Sequence, residues 1–299
     1  MVTARPEIAV LCSTYNGAAY LPRMVESIDS QTHQPSVIVF RDDGSDDATV
    51  AWLERLASAR SNVVVDRGRH IGINESFFSL LRDHGHRADY VAFADQDDFW
   101  LSSKLARAAE ALAGVDDDRP ALWCSRLMIA DAALQPLQPT MPINRPSLGN
   151  ALVENIAAGC TIVLNRAAVR LLSDPPLSSV LYYDWWCYLA CSALGSVIVE
   201  AKPSVLYRQH TANSVGVVPG GSKALAAKIK RQSPGRLLSG MRNQALGFLG
   251  RYGEQLEDEK RALATRFADR DRSLAFDRRI FRQQRIDDTL LRAALLVGL

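Results

Sequence analysis

Three stretches of the sequence decide the fold: residues 8–17 read IAVLCSTYNG, residues 37–45 read VIVFRDDGS, and residues 90–98 read YVAFADQDD. Each begins with a short apolar run typical of a buried strand and ends in polar or acidic residues. Between the first two, apolar residues recur at helical spacing over positions 21–28. Because strands that alternate with helices imply parallel crossovers, we expect an α/β fold with an open, twisted, mostly parallel sheet flanked by helices.

The 299 residues allow one large domain with an appendage. Strand and helix patterns alternate clearly up to residue 115 and more loosely up to 220, and the remainder reads as helices rich in Ala, Leu and Arg. We therefore expect a domain over 1–220, divided into a ligand-binding half (1–115) and a second half (116–220), followed by a basic helical region over 221–299. The later elements that we expect are a Pro-rich mobile lid or surface loop at 136–146, a helix at 147–156, a strand at 159–164, a helix at 182–193 and a strand at 197–208.

Composition excludes several classes of protein. Apolar residues at 47% and charged residues at 23% are ordinary globular values, which argues against a disordered or coiled-coil protein. A formal charge of +2 argues against a general nucleic-acid binder. Five cysteines without a C-x-x-C pair indicate a reducing compartment. The start, MVTARPEIAV, lacks the apolar core of a signal peptide, so we expect a cytoplasmic location.

The ends of the predicted strands indicate where a ligand would bind. In open parallel sheets, ligands bind beyond the carboxyl ends of the strands. Asp95 and Asp97 lie two apart in a chain leaving a strand, so their side chains are expected on one side, where they would repel each other without a cation. A hard ion, Mg²⁺ or Mn²⁺, bound by carboxylates and by substrate phosphates satisfies that arrangement. The alternative is an acidic turn that caps the helix beginning near Lys104.

Several motifs of phosphate chemistry and hydrolysis are missing from the sequence. The first strand is not followed by G-x-G-x-x-G, and the chain contains no P-loop, no H-E-x-x-H and no G-x-S-x-G. A phosphate-containing ligand without a phosphate-binding loop must be neutralised in another way. The metal is the remaining candidate.

Three linked motifs carry a resemblance to a known family: IAVLCSTYNGAAYLPRMVESIDSQT, RDDGSDDAT and FADQDDFWLSSKL. Their order and spacing resemble the donor-binding half of a family-2 glycosyltransferase with the GT-A fold, over roughly the first 105 residues. The later segments NIAAGCTIVLNR, YYDWW and YRQHTANSVG resemble the rhamnosyltransferase-like branch of that family, up to about residue 216.

The resemblance implies a role for each matching residue. Tyr15 would stack on a pyrimidine base, and Asp42 or Asp43 would accept the N–H of its ring. The nucleotide-sugar site implied in this way comprises Ser13, Thr14, Tyr15, Asn16, Asp42, Asp43, Asn74, Asp95 and Gln96. The implied metal ligands are Asp95, Asp97 and His210. His70 could approach a donor phosphate, but we expect it on a surface loop.

Asp184 is the candidate catalytic residue. It lies in the apolar sequence YYDWW, where a buried carboxylate is costly unless it has a partner or a function. The resemblance makes it the general base that deprotonates the acceptor hydroxyl, with inversion at the anomeric carbon. The alternative is an N-cap for a helix over residues 185–193.

The resemblance, together with these residues, implies an inverting, metal-dependent glycosyltransferase of surface polysaccharide synthesis. Its donor would be dTDP-L-rhamnose or a UDP-sugar, and its acceptor a hydroxyl of a glycan or of a lipid-linked glycan. Two alternatives are a nucleotide-binding assembly module without turnover and a nucleotide-sugar hydrolase.

The basic C-terminal region leaves two interpretations open. One is an amphipathic face for anionic lipid at the inner membrane surface, formed by Arg231, Arg236, Leu237, Leu238, Met241, Arg242 and Leu246. The other is a simple solvated helix face, which could also pack on a second subunit of a homodimer, with the residues Arg278, Arg279, Arg282 and Arg285.

Overall fold

A computed structural model describes residues 5–209 and 234–298. Within these residues the strands are Ile8–Thr14 (β1), Val37–Asp42 (β2), Val63–Arg67 (β3), Tyr90–Asp95 (β4), Phe99–Trp100 (β5), Ala121–Ala130 (β6), Pro136–Pro139 (β7), Val163–Asn165 (β8) and Ser196–Arg208 (β9). The α-helices are Leu21–Asp29 (α1), Thr49–Ala59 (α2), Ile73–His84 (α3), Lys104–Leu112 (α4), Leu148–Ala151 (α5), Arg166–Leu172 (α6), Tyr183–Leu194 (α7), Pro234–Tyr252 (α8), Asp258–Ala268 (α9) and Arg285–Leu296 (α10).

The strands form one mixed, largely parallel sheet in the order β3-β2-β1-β4-β8-β6-β9-β5, with β7 paired to β6. Strands β1 to β4 pair in parallel, as do β6 and β9, whereas β8 runs antiparallel to both of its neighbours. The predicted α/β fold class is confirmed.

Both faces of the sheet are covered, which explains the continuous apolar runs of the sequence. Ile8 and Val10 of β1 face a core shared with α1, α2 and α4. Ala9 and Leu11 face the opposite core, shared with α3, α6, α7 and the C-terminal helices. Polar groups therefore occur in β1 only where it ends, and this end becomes the rim of the sheet.

Three local predictions were wrong. The predicted strand at 159–164 is a 3-10 turn at Gly159–Thr161 followed by the short β8, because the Gly159 N–H is used by a side chain rather than by a neighbouring strand. The predicted helix at 147–156 is only α5, because the chain after it turns around Asn155, whose side chain accepts from the Ala157 N–H. The Pro-rich loop contains β7, a sheet-edge strand where a missing proline N–H is tolerated.

Helix α8 packs against the main core rather than presenting a lipid-binding face. Leu238 and Met241 are buried, Arg242 is buried with them, and the ring of Phe248 lies 6.2 Å from that of Trp186. The predicted lipid face is therefore wrong for Leu238, Met241 and Arg242, whereas Arg236 and Leu246 are exposed and Arg231 lies outside the described residues. The apolar stretch at 181–199 forms α7 and the start of β9, and in the described part of the chain no helix is long and apolar enough to cross a bilayer.

Candidate active site

The ends of β1, β2 and β4 lie side by side at one edge of the sheet. In the β1–β4 register Ser13 is opposite Asp95, and in the β1–β2 register Thr14 is opposite Asp42. The polar residues that follow these strands are thereby brought together. This is the arrangement that the strand pattern predicts.

The Asp42 and Asp43 carboxylates are buried in hydrogen bonds of the protein itself. Asp42 accepts from the Thr14 hydroxyl and from the hydroxyl and N–H of Ser45, so it closes the turn after β2. Asp43 accepts from Arg41 at 2.6 Å and from the N–H groups of Ile71 and Gly72, so it holds the loop after β3. The geometry gives both carboxylates a structural role, and the hydrogen bond that either would accept from the N–H of a base stays a prediction.

Tyr15 and His70 form an exposed aromatic pair at this rim. The Tyr15 side chain is exposed, and its ring centroid lies 4.6 Å from that of His70. The His70 Nδ1 atom lies 3.1 Å from the backbone oxygen of Asp43. His70 is on a loop, as expected, but beside the residue that should stack on the base. No local pattern in the sequence indicates this contact, because it joins segments that are far apart in the chain.

A second residue that the sequence analysis missed is the buried Arg41. Its guanidinium bonds Asp43 and the Ser76 hydroxyl, which is 2.6 Å from the Ser13 hydroxyl. An arginine inside an apolar strand, directly before two aspartates, is the signal that could have found it. The chain of contacts from Ser13 to Asp43 fixes the ends of β1 and β2 relative to each other.

Gln96 and Asn16 also fix the strand ends. The Gln96 amide accepts from the Tyr15 N–H and donates to the Tyr15 carbonyl, both at 3.0 Å. A Cβ atom at Gly17 would lie 2.1 Å from Gln96 Oε1, so a larger residue there would displace the Gln96 amide from Tyr15. Asn16, at a φ of 50°, accepts from the Asp46 N–H. These contacts orient the backbone that carries the Tyr15 ring.

The turn after β4 concentrates acidic groups around a buried lysine. Ligand atoms of Asp95, Asp98 and Cys160 lie within 4.8 Å of one another. The Lys104 ammonium donates to the Cys160 carbonyl at 2.6 Å and lies 3.1 Å from the centroid of the Trp100 ring. One carboxylate oxygen of Asp98 is buried without a hydrogen-bond partner among the described residues.

The charges of this turn shift several pKa values. Burial, together with the charges of Asp97 and Asp184, raises the pKa of Asp95 to about 7. Burial also raises the pKa of Asp98 well above its usual value and lowers that of Lys104 to about 7. The acidic groups of this turn therefore carry more negative charge than the Lys104 ammonium can neutralise. A bound cation would reduce the repulsion between their carboxylates.

The donor set fits a hard divalent cation through its carboxylate oxygens. Burial raises the pKa of the Cys160 thiol well above its usual value, so the thiol is protonated and a poor ligand. Asp95 and the half-buried Asp97 are the ligands that the motif predicts. His210, the third predicted ligand, lies outside the described residues.

Arg208, which the sequence analysis did not single out, holds the acidic turn in place. Its backbone N–H donates to Asp98, and its side chain donates to the Asp97 carbonyl at 2.8 Å and to the Ala132 carbonyl. Strand β9 is thereby joined to the turn. The YRQH motif begins at the end of this strand, which explains how a segment more than one hundred residues away contacts the D-x-D turn.

Asp184 lies in the first turn of α7, facing the 3-10 turn of Gly159. Its carboxylate accepts from the Trp185 N–H at 2.7 Å and from the Gly159 N–H at 3.1 Å. Burial raises the pKa of Asp184 to about 6. The residue at the N-cap position is Tyr182, so the N-cap alternative for Asp184 is wrong.

Asn74 and Tyr183 determine where α7 begins. The Asn74 side chain donates to the Leu181 carbonyl and accepts from the Tyr183 N–H at 2.9 Å. It is thus engaged by the protein backbone, and its predicted place in the donor site stays a prediction. The Tyr183 hydroxyl lies 3.4 Å from Asp95 Oδ1. The candidate base and the acidic turn are therefore parts of one site.

Comparison with known proteins identifies the family of this site. The family model for Glycosyl transferase family 2 matches residues 9–120, which contain Tyr15, the Asp42–Asp43 turn and the Asp95–Asp98 turn. Residues 9–120 are a family-2 glycosyltransferase domain. The resemblance stated from the motifs is confirmed for this family-2 domain.

Two sequence relatives extend the comparison. The dTDP-rhamnosyl transferase RfbG of Shigella flexneri is 25% identical over 236 residues, which cover 73% of this chain and 77% of the relative. The putative teichuronic acid biosynthesis glycosyltransferase TuaG of Bacillus subtilis is 29% identical over 115 residues, which cover 37% of this chain and 43% of that protein. Both are glycosyltransferases by name, and the RfbG alignment extends well beyond the family-2 domain.

The fold is shared with a solved structure, that of S. aureus TarS 1-349 in complex with UDP-GlcNAc. The two chains superpose with a TM-score of 0.59 at 16% sequence identity, over 98% of this chain and 79% of TarS 1-349. At this identity the likeness concerns the fold alone. It supports the GT-A-like fold.

Proposed function

We propose that the protein is an inverting glycosyltransferase that transfers a sugar from a nucleotide diphosphate to an acceptor hydroxyl. L-Rhamnose from dTDP-L-rhamnose is the donor that we favour, because RfbG is named a dTDP-rhamnosyl transferase and aligns over most of the chain. A UDP-sugar is the alternative, supported by the TarS complex with UDP-GlcNAc. The acceptor is a glycan or a lipid-linked glycan of surface polysaccharide synthesis.

The observation that carries this proposal is the closeness of Asp184 to the acidic turn. The charge of Asp184 contributes to the raised pKa of Asp95, and Tyr183 hydrogen-bonds Asp95 from the residue preceding Asp184. The proposed diphosphate site and the proposed general base would thus both lie within reach of one sugar. A nucleotide-binding module would need no carboxylate in the position of Asp184.

Binding of the donor would follow from the rim residues. The exposed Tyr15 ring offers a stacking surface for a pyrimidine, and His70 limits that surface on one side. The residues that would hold a divalent cation are Asp95 and Asp97. When bound, the cation would stabilise the charge that develops on the departing diphosphate.

The chemical step assigns one task to Asp184. As the acceptor oxygen attacks the anomeric carbon and the bond to the diphosphate breaks, the carboxylate takes the hydroxyl proton. Hydrogen bonds from Trp185 and Gly159 orient this carboxylate, and its raised pKa makes it a stronger base than an exposed aspartate. Attack from the side opposite the leaving group inverts the configuration.

Thermal shift with dTDP, UDP, GDP and CMP, each with and without Mn²⁺, tests the donor. We expect one pyrimidine diphosphate to stabilise the protein and the effect to vanish with a chelator. Equal shifts for all four nucleotides, or none, contradict the proposal. For the reaction, Asp184→Asn should lower transfer by about 10²- to 10⁴-fold while the nucleotide shift is retained.

The control for Asp184→Asn is Asp83→Asn, at an exposed position of α3. Unchanged transfer by Asp184→Asn removes the proposed base and favours the non-catalytic module. Donor consumption at full rate without an acceptor favours the hydrolase. The location of the enzyme in the cytoplasm, at the inner face of the membrane, is a further part of the proposal, and a homodimer through the C-terminal helices is the alternative use of that region.

A further inference from the structure

Helix α10 exposes an apolar face that no other described residue covers. At 100° per residue, its exposed apolar residues span an arc of about 120°. They are Ile286, Leu290, Leu296 and Val297, the last directly after the helix. The opposite face, with Leu291 and Leu295, is buried in the main core. A helix end with this much exposed aliphatic surface is typical of a binding face.

A cavity of about 330 Å³ opens beside the start of this helix. Arginines dominate its charged lining, which consists of Arg145, Arg278, Arg282, Arg285, Arg292 and the carboxylate of Asp288. Arg285, Asp288 and Arg292 lie at i, i+3 and i+7 of α10, so they form the helix face between the buried side and the apolar arc. The cavity and the apolar arc are thus adjacent surfaces of one helix.

The arginines of the cavity outnumber the carboxylates that contact them. Arg292 bonds Asp288 at 2.8 Å, and Arg282 lies 3.7 Å from Glu154. Within residues 5–209 and 234–298, Arg278 and Arg285 contact no carboxylate. Five arginines and two carboxylates leave a net charge of +3, which attracts a phosphate group, and guanidinium groups bind phosphate with two hydrogen bonds each.

We propose that this surface binds an anionic membrane, with the phosphate of a lipid headgroup in the arginine cavity and the apolar arc in the bilayer interface. A helix with arginine on one side and aliphatic residues on the next lies in such an interface in other proteins. A second copy of the chain fits less well. A twofold contact through the apolar arc would place two positively charged clusters close together. The inference builds on the proposed location at a membrane.

Vesicle sedimentation with the purified full chain tests the proposal. We expect binding to vesicles of phosphatidylcholine with phosphatidylglycerol, little binding to phosphatidylcholine alone, and a loss of binding as salt screens the charges. Arg278→Glu/Arg285→Glu should lower the partition coefficient by about 25-fold or more, since each basic residue near an anionic surface contributes about fivefold. Arg55→Glu/Arg82→Glu, on the exposed surfaces of α2 and α3, makes the same change in charge and should have a small effect.

The apolar arc is tested separately with Leu290→Ser, which should weaken binding about tenfold. Leu246→Ser, at an exposed leucine of α8, is the matched control. Equal effects of test and control variants overturn the proposal, as does the same affinity for both kinds of vesicle. A dimer in solution that Leu290→Ser dissociates favours a second copy instead. Stabilisation by inorganic phosphate that is lost in Arg278→Glu/Arg285→Glu, without vesicle binding, favours a soluble anion.

None of these measurements uses the sugar donor. The variants lie outside the residues to which we assign donor binding or catalysis, so each should keep the nucleotide-induced thermal shift of the wild type. A loss of membrane binding with a retained nucleotide shift therefore separates this inference from the proposed transferase activity.

Discussion

The Tyr183 hydroxyl donates a hydrogen bond to Asp95 Oδ1 across 3.4 Å, and this bond joins helix α7 to the end of strand β4. The Tyr183 ring stacks on Phe77 with a centroid distance of 4.0 Å, so the hydroxyl has little freedom. The Tyr183 hydroxyl fits in this position because residue 159 is a glycine. A Cβ atom there would lie 1.8 Å from the hydroxyl oxygen.

Gly159→Ala should therefore displace Tyr183 from Asp95 and disturb the N–H that orients Asp184. We expect transfer to fall at least about tenfold, because small displacements of reacting groups cost that much or more. Tyr183→Phe removes only the nearest clashing atom, since the ring carbon Cζ would still lie 2.5 Å from the new Cβ. Gly159→Ala/Tyr183→Phe should therefore relieve part of the overlap and be more active than Gly159→Ala alone. Gly250→Ala is the control, since a Cβ at that position meets nothing within 4 Å. A double variant no better than the single one contradicts this account.

The second prediction concerns the buried Lys104 ammonium. Lys104→Met leaves the Cys160 carbonyl without the ammonium that donates to it and removes the positive charge that acts on Asp98, so the free energy of unfolding at pH 7 should fall by about 1 to 3 kcal/mol. Asp98→Asn/Lys104→Met removes both charges and should cost less than Lys104→Met alone. Urea unfolding measures both differences. Lys260→Met, which removes a half-exposed ammonium that also contacts a carbonyl, should cost little. Additive losses at Lys104 and Asp98 would show that the two charges do not interact.

The strands and the rim of the sheet could be predicted from local sequence. The apolar runs of β1, β2 and β4 are buried on both faces, and the polar residues begin where each strand ends. Since parallel strands bring their carboxyl ends to one edge, the grouping of Tyr15, Asp43 and Asp95 follows from the pattern alone. Asp184 could be singled out because a carboxylate among aromatic residues is unusual.

The partners of these residues could not be predicted, because they depend on contacts between distant segments. Arg208 bonds the turn after β4 only because β9 pairs with β5. The burial of Asp42 and Asp43 is set by loops that fold back over them. The packing of α8 was also misjudged, since a helix with arginines among leucines has the same sequence pattern whether the apolar side meets a core or a lipid.

The third prediction tests the base-stacking surface. Tyr15→Ala should raise the dissociation constant of the bound nucleotide by about 5- to 150-fold, the range expected for the loss of one base–aromatic stack. Tyr15→Phe keeps the ring and should bind nearly as well as the wild type. Titration calorimetry with dTDP and UDP measures the difference. If Phe and Ala weaken binding equally, the hydroxyl rather than the ring makes the contact.

The fourth prediction links the activity of Asp184 to the pH dependence of stability. In the unfolded chain an aspartate has a pKa of about 3.9, and in the folded protein burial raises the pKa of Asp184 to about 6. The folded state therefore holds the proton more tightly. The stabilisation of the folded state by this bound proton is fully present below pH 4 and is lost as the pH rises towards and through 6.

Asp184→Asn removes this loss of stability at higher pH, because an amide does not ionise. The variant should transfer sugar about 10²- to 10⁴-fold more slowly, yet be more stable than the wild type at pH 7, by up to about 3 kcal/mol for a shift of two pKa units. Near pH 4 the advantage should disappear, since the wild-type carboxyl is then protonated in the folded state. Chemical unfolding at the two pH values checks the sign. A variant that is less stable at pH 7 would mean that the hydrogen bonds from Gly159 and Trp185 need the charged carboxylate more than burial opposes it.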